Sequence, residues 1–281
     1  KMGKRTKSAV ALISNAIAEK RLDLAEEANN LAEKVLTATG VKVKASDRAG
    51  ADKGSAATEY LIFIANREVE QLADIAIAAF DEGKDPSKLK KEVAAVFHGK
   101  QAIDIACFGR MLADAPDLNT DASAQVAHAF SIDQITPEYD YFTAVDDCAS
   151  DDNAGAAMID TVGFNSSTLY RYATLNVDAL RDQLQDADAM VEGVSAFVEA
   201  FVKSMPSGKQ NTFANHTLPE DIVIVLRDSQ PISAADAFEN PIKRKDGISV
   251  SRQGIERLGD RLNEIRINYG EEPVKAWHVV S

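Results

Sequence analysis

A chain of 281 residues with 45% hydrophobic and 27% charged side chains can bury one large core or two smaller ones, and has the balance of an ordinary globular protein. Its formal charge of −13 opposes non-specific binding to nucleic acid. No run approaches the roughly 18 apolar residues of a membrane span, and Cys107 and Cys148 supply no disulfide framework, so the expectation is a reduced, cytoplasmic protein without a membrane partner.

The first hundred residues read as helices. Ala9, Ile13 and Ile17 set one apolar face, and Leu24, Ala28, Leu31 and Val35 set a second, with Gly40 as its stop. Val41–Ser55 is a polar, mobile connection. Leu61, Ala65, Val69, Leu72, Ala76 and Ala79 predict a further helix ending near Gly83. In DPSKLKKEVAAVF, Asp85 is placed to cap and Pro86 to take the first helical turn.

At Gly99 the period changes. Ile103, Ile105 and Cys107 alternate with Asp104 and Ala106, which predicts a strand. Val126, His128 and Phe130 predict a second, with His128 as a structural residue. Residues 131–165 show no sustained period, so Tyr141 and Phe142 of DYFTAVDD read as lying in a loop. A third strand spans Thr168–Thr174. Leu180–Met205 is mostly helical, Ile222–Leu226 is a buried strand, and Ile255, Leu258, Leu262 and Ile265 mark a last helix. A helical block followed by strands mixed with helices is α+β.

Charge is spread unevenly. The first 44 residues hold nine Lys or Arg against five Asp or Glu, and residues 203–266 hold ten against nine, including Lys243, Arg244 and Lys245. Between Met111 and Tyr170 there are eleven acidic residues and no Lys or Arg. An acidic protein can still track a phosphate backbone along a local basic stripe.

No catalytic frame emerges. His98, His128, His216 and His278 have no ligand spacing. Asp146, Asp147, Asp151 and Asp152 lack the alternating ligands, central Gly and terminal Glu of an EF-hand, and read as a solvated acidic loop. SGKQN (207–211) is not a P-loop, and GxSxG, HExxH, CxxC and GxGxxG are absent. No cofactor, no metal and no enzyme activity is indicated. A non-catalytic set remains: Arg110 and Met111 in FGRM, Tyr141 and Phe142, and Lys209 and Gln210 in SGKQNTF. Cations reach phosphates, Gly lets backbone N–H groups approach them, and flat or polarisable side chains stack on bases or wedge between them. The ordinary reading makes Met111 and Phe142 core or hinge fillers and Arg110 a surface charge.

These residues fall in blocks that resemble the CasC family, the repeated backbone subunit of the type I-E CRISPR Cascade complex. The blocks are QAIDIACFGRM (101–111), QVAHAFSIDQ (125–134), DYFTAVDD (140–147), GFNSSTLYRYATLN (163–176), PSGKQNTF (206–213) and DAFENPI (236–242), in family order. The resemblance implies a ferredoxin-like, RRM-related palm with a helical fingers insertion and a thumb extension. Residues 1–99 would be the helical fingers domain, 100–136 palm strands and the fingers–palm junction, 137–165 the thumb, and 166–281 the remainder of the palm. It also implies copies that coat guide CRISPR RNA as a filament and present it for pairing with target DNA beside other Cascade subunits, with no nuclease chemistry of their own. Each thumb would reach over RNA held by the neighbouring copy.

Residue by residue, Met111, Tyr141 and Phe142 match the family's stacking or wedge positions, with Phe142 foremost. Thr143 matches a backbone or 2′-OH contact, Arg110 a further RNA contact, and Lys209 and Gln210 the loop facing the guide. Tyr141 stands where the family commonly has Trp. The opening KMGKRTKSAV matches the middle of a family member, so the resemblance implies that a first palm strand and a basic segment are missing from the N-terminus. Two other classes stay open: a protein-interaction scaffold, and a nuclease whose metal-binding carboxylates are brought together by folding.

Overall fold

The computed structural model describes residues 2–45, 56–144 and 158–280. The chain forms two compact units, one of residues 1–125 with 174–201 and one of residues 126–173 with 202–281. In the first unit, β1 (Gly3–Thr6) leads into α1 (Ala9–Lys20), whose Val10, Ile13 and Ile17 lie on one buried stripe. Helix α2 (Ala28–Thr37) buries Ala28, Leu31, Ala32, Val35 and Leu36, again three or four apart. The chain then turns at Gly40, in the left-handed region at φ +91°. A pair of short strands follows, β2 (Val43–Ala45) and β3 (Ala56–Thr58), and then β4 (Ile62–Ala65), which runs antiparallel to β1 with Gly3 opposite Ala65. The side chains of α1, α2, α3 (Asn66–Asp81) and α4 (Lys90–Phe97) share one apolar core with Ile62 and Ile64.

The all-helical reading of this region therefore needs correction, since its described residues form four short strands. The helix expected to run through Leu61 and Ala65 begins only at Asn66, because Ile62 and Ile64 alternate inward from β4. Asp85 does cap, its carboxylate accepting from the Ser87 N–H at 3.1 Å, but the capped element is a single 3-10 turn (Pro86–Lys88) ahead of α4.

The strand expected at Ile103–Cys107 is a helix, α5 (Ile103–Phe108). A run this short fits either period. Three consecutive residues, Ile105, Ala106 and Cys107, are buried, which a strand alternating between a wet and a dry face does not allow. The second expected strand is broken: β5 (Ala124–Val126) ends before β6 (Phe130–Ser131) begins, and His128 between them is exposed rather than structural. The hairpin β7 (Glu138–Ala144) and β8 (Met158–Phe164) follows, where no element was expected. The third expected strand divides into β9 (Leu169–Tyr170), paired with β6, and β10 (Ala173–Leu175), paired with β5.

Helix α6 (Val177–Leu184) starts at Asn176, whose side chain accepts from the Ala179 N–H, and packs Leu180 and Leu184 with α5. Helix α7 (Ala187–Lys203) completes that cluster through Met190, Val194 and Phe197. In the second unit, the one-turn helix α8 (Gln210–Phe213) precedes β11 (Asp221–Leu226), α9 (Val250–Tyr269) and β12 (Lys275–Val280). Its core joins Ile132, Phe238 and Ile242 to the rings of Phe130 and Tyr170. Helix α9 approaches closely at Gly254, where a Cβ would stand 2.5 Å from Ile132 Cδ1. The strand at Ile222–Leu226 is only half-buried, correcting the buried reading, since among the described residues β12 alone pairs with it.

Among the described residues the strands form six two-stranded sheets, so the fold is α+β built from small sheets and helices. No described helix is long and apolar enough to cross a membrane.

Candidate nucleic-acid interface

The FGRM segment is built around a glycine. Gly109 sits at φ +75°, and a Cβ on it would stand 2.8 Å from the Thr120 carbonyl oxygen. Only glycine lets these backbones close, and closure gives two hydrogen bonds of 2.9 Å, Arg110 N–H to Thr120 O and Thr120 N–H to Arg110 O.

The Arg110 side chain turns inward. Its guanidinium is fully buried and donates from Nη1 to Glu68 Oε1 at 2.6 Å and from Nη2 to Phe97 O at 3.1 Å, with Cζ 4.8 Å from the Phe97 ring centroid. The other Glu68 oxygen accepts from the Ala65 N–H at the start of α3. Arg110 is therefore not a surface charge, and no phosphate can reach this guanidinium without breaking the pair. It anchors its own backbone.

That anchoring presents Met111. Its neighbour Leu112 is buried and donates its N–H to Asn119 Oδ1 at 2.7 Å, while Met111 itself is 77% exposed. An apolar, polarisable side chain held in water between two fixed neighbours is the opposite of a core filler. It borders an open groove of about 500 Å³ lined also by Arg5, Phe63, Phe108 and Asp121. Arg5 lies over the Phe63 ring, Cζ to centroid 4.9 Å, and Phe108 is exposed. The motif reading missed Arg5, Phe63 and Phe108. The basic opening KMGKRTK was a signal for Arg5, but nothing local ties it to Phe63, which faces it across β1 and β4.

Tyr141, Phe142 and Thr143 are in mid-strand, not in a loop. They pair with Thr161, Asp160 and Ile159 across the hairpin. Successive strand residues point to opposite faces, so Tyr141 and Phe142 do not form one aromatic patch. Tyr141 is exposed and Phe142 half-buried. The quartet Asp146, Asp147, Asp151 and Asp152 lies outside the described residues.

Lys209 and Gln210 sit where the chain enters α8. Lys209 holds a left-handed backbone, φ 61° and ψ 10°, and is exposed, with no ion pair to a described residue. Gln210 donates from its side chain to Pro206 O at 2.7 Å, closing its own loop. The Phe213 ring of α8 lies 5.7 Å from that of Phe164, so α8 is held at the base of the β7–β8 hairpin. The expected residues thus divide: Arg110 and Met111 belong to the first unit, and Tyr141, Phe142, Thr143, Lys209 and Gln210 to the second. Among the described residues no three His, Cys, Asp or Glu are grouped to hold a metal. Burial pushes the Cys107 thiol up from its ordinary pKa, which disfavours the reactive thiolate.

Comparison with known proteins gives this geometry a context. The chain is similar to a chain of a pre-nicking CRISPR RNA-guided surveillance complex, with 29% identity over 99% of this chain and 77% of that one and a TM-score of 0.82. It is also similar to a chain of a second CRISPR RNA-guided surveillance complex, at 34% identity over 63% of this chain and 67% of that one, with a TM-score of 0.58. No curated protein sequence matches. The fold is thus that of a homologue of CRISPR surveillance-complex chains. All of residues 1–281 match the CT1975-like protein family, and the chain belongs to it.

Proposed function

We propose that this chain is the CasC-type backbone subunit of a type I-E Cascade complex, acting in the cytoplasm in antiviral defence. In this reading successive copies coat guide CRISPR RNA and present it for pairing with target DNA, together with other Cascade subunits and without cutting either strand. Residues 1–99 serve as fingers, 137–165 as thumb, and the remainder as an RRM-related palm.

The observation that carries the proposal is Met111, exposed and fixed between two buried neighbours at a groove that also holds a cation stacked on an aromatic ring. Such a side chain is suited to wedge between bases, while Arg5 meets phosphate. Arg110 is a positioning residue that holds Met111 in place. On the hairpin, Tyr141 and Phe142 offer rings on opposite faces and Thr143 a hydroxyl for a 2′-OH. Lys209 supplies a phosphate contact, and Gln210 shapes its loop. The local basic groups account for RNA binding by a chain whose net charge is −13.

Nuclease footprinting of purified protein on labelled single-stranded RNA tests this. The expected result is a periodic protection pattern that lengthens with the strand, and Met111→Ala should blur the period while leaving the fold intact. Binding without periodicity, or metal-dependent cleavage products from the purified chain, refutes the assignment.

A further inference from the structure

One strand pair sets both walls of the groove beside Met111. Gly3 and Ala65 stand opposite each other in β1 and β4, and each gives its N–H to a carboxylate rather than to the facing strand. Ala65 donates to Glu68, whose other oxygen holds Arg110. Gly3 donates to Asp104 Oδ2 at 2.8 Å, and Asp104 stands in the first turn of α5. Outward N–H groups mark a non-hydrogen-bonded pair, and the next such pair along the ribbon is Arg5 with Phe63, where side chains approach closest. The Phe63 ring needs Gly3 bare, since a Cβ there would stand 2.7 Å from Phe63 Cε2. Arg5 Cζ then lies 4.9 Å from the ring centroid. On the other wall, Phe108 follows Asp104 by one helical turn of α5 and so shares its side of the helix. The far end of β1 is tied elsewhere, with Lys7 O accepting from the Thr58 N–H at 2.9 Å. Asp104 therefore ties the Arg5 wall to the Phe108 wall.

We propose that Asp104 is a positioning residue for RNA binding, which touches no RNA itself and holds Arg5 over Phe63 where the guanidinium meets phosphate. The assignment rests on the reading of this groove as a guide-RNA surface. A carboxylate beside a phosphate-binding groove opposes binding by its charge, so its oxygens must be engaged elsewhere. Both are: Oδ1 accepts from the Ile105 N–H at 3.0 Å, and Oδ2 accepts from Gly3. The Ile105 contact alone would make Asp104 an ordinary first-turn residue of α5. The Gly3 bond, across 101 residues of chain, adds the second role. Arg5 is exposed, and its place is set by the strand and the Phe63 ring. A shift of β1 at Gly3 moves both.

The test titrates the full chain with a mixed-sequence single-stranded RNA over a range of salt. Arg5→Ala should weaken binding roughly 4-fold at about 0.15 M salt and shallow the log–log slope by about 0.7 to 1, the value of one phosphate contact. Asp104→Ser keeps an oxygen in the first turn of α5 but cannot reach Gly3, and should weaken binding at least about 2-fold with a shallower slope. Charge alone predicts the reverse, tighter binding once a carboxylate is removed. Asp104→Asn is equally neutral, but its amide oxygen still reaches the Gly3 N–H, so it should keep the parental slope. In the Arg5→Ala background, Asp104→Ser should change affinity no further. Where Asp104→Ser fails to fold, Gly3→Ala decides in its place, since its Cβ displaces the Phe63 ring with Asp104 intact and must give the same loss. Parental or tighter binding by the deciding variant overturns the assignment. So does an equal loss in the Arg5→Ala background, or an Asp104→Asn variant as weak as Asp104→Ser. A parent chain that binds no single-stranded RNA refutes the functional reading itself, and this inference with it.

Discussion

Glu68→Gln isolates the question of what Arg110 does. The parent pair is closed at 2.6 Å with both side chains withdrawn from water. After the substitution the guanidinium keeps only neutral partners, Phe97 O at 3.1 Å, Gln101 Oε1 at 3.3 Å and Thr120 Oγ1 at 3.5 Å, together with the Phe97 ring. Its Nε already has no partner among the described residues. Leaving a buried charge uncompensated costs about 3–5 kcal/mol. Loss of the carboxylate from the first turn of α3 adds about 0.3–1 kcal/mol. Against a typical total of about 5–15 kcal/mol, this is a large share of the stability of the first unit. The assay follows urea unfolding by two signals. Trp277, the single tryptophan, lies in the second unit, whereas most helical residues belong to the first. Glu68→Gln should move the far-ultraviolet circular dichroism transition to lower urea and leave the Trp277 fluorescence transition nearly in place. The double variant Glu68→Leu with Arg110→Met should recover much of the loss, because replacing both members of a buried pair by apolar groups removes the desolvation cost. An unchanged dichroism transition in Glu68→Gln, with RNA affinity lost in Arg110→Met, would show that the guanidinium is a ligand contact and refute the anchoring argument.

Three further outcomes follow from single backbone positions. Gly109→Ala must accommodate a Cβ 2.8 Å from Thr120 O at φ +75° and ψ 171°, so thermal unfolding should show a loss of about 1–3 kcal/mol, and footprinting should show the same loss of period as Met111→Ala. Gly254→Ala puts a Cβ 2.5 Å from Ile132 Cδ1, a terminal methyl, so an overpacking cost of about 1–3 kcal/mol is offset by about 0.5–1 kcal/mol of helix propensity, and the Trp277 transition should fall modestly; parental stability there would show that Ile132 turns aside. Lys209→Gly should split two readouts in opposite directions. Relief of the left-handed backbone offsets part of the entropy lost with glycine and keeps stability near or above that of Lys209→Ala, while RNA affinity falls and the log–log salt slope becomes shallower by about one. An identical slope in mutant and parent would mark Lys209 as a solvated loop lysine.

The parts of the fold legible in the sequence are those that bury one side of themselves. Helices α1, α2 and α3 announce their period because water is excluded from one stripe of each, as at Ile13 and Ile17 or Leu72 and Ala76. Ile103–Cys107 misled because a short apolar run carries both periods, and the choice between them was made by Leu180 and Leu184, far along the chain. Glu68 was invisible as the partner of Arg110 for the same reason, being 42 residues away. The β7–β8 hairpin fails to announce itself for a different reason. Strand alternation is readable only when one face is dry, and here Tyr139 and Tyr141 are apolar in part on one face while Phe142 and Val162 are apolar on the other. Met111 belongs to the same class, an apolar side chain kept in water by neighbours that are not. A surface shaped to meet a partner withholds the burial that generates periodicity. Residues 131–165, silent to hydrophobic patterning, therefore hold the hairpin side chains proposed to act beside Met111, Arg5 and Lys209, and resemblance of whole blocks was the signal that reached the hairpin.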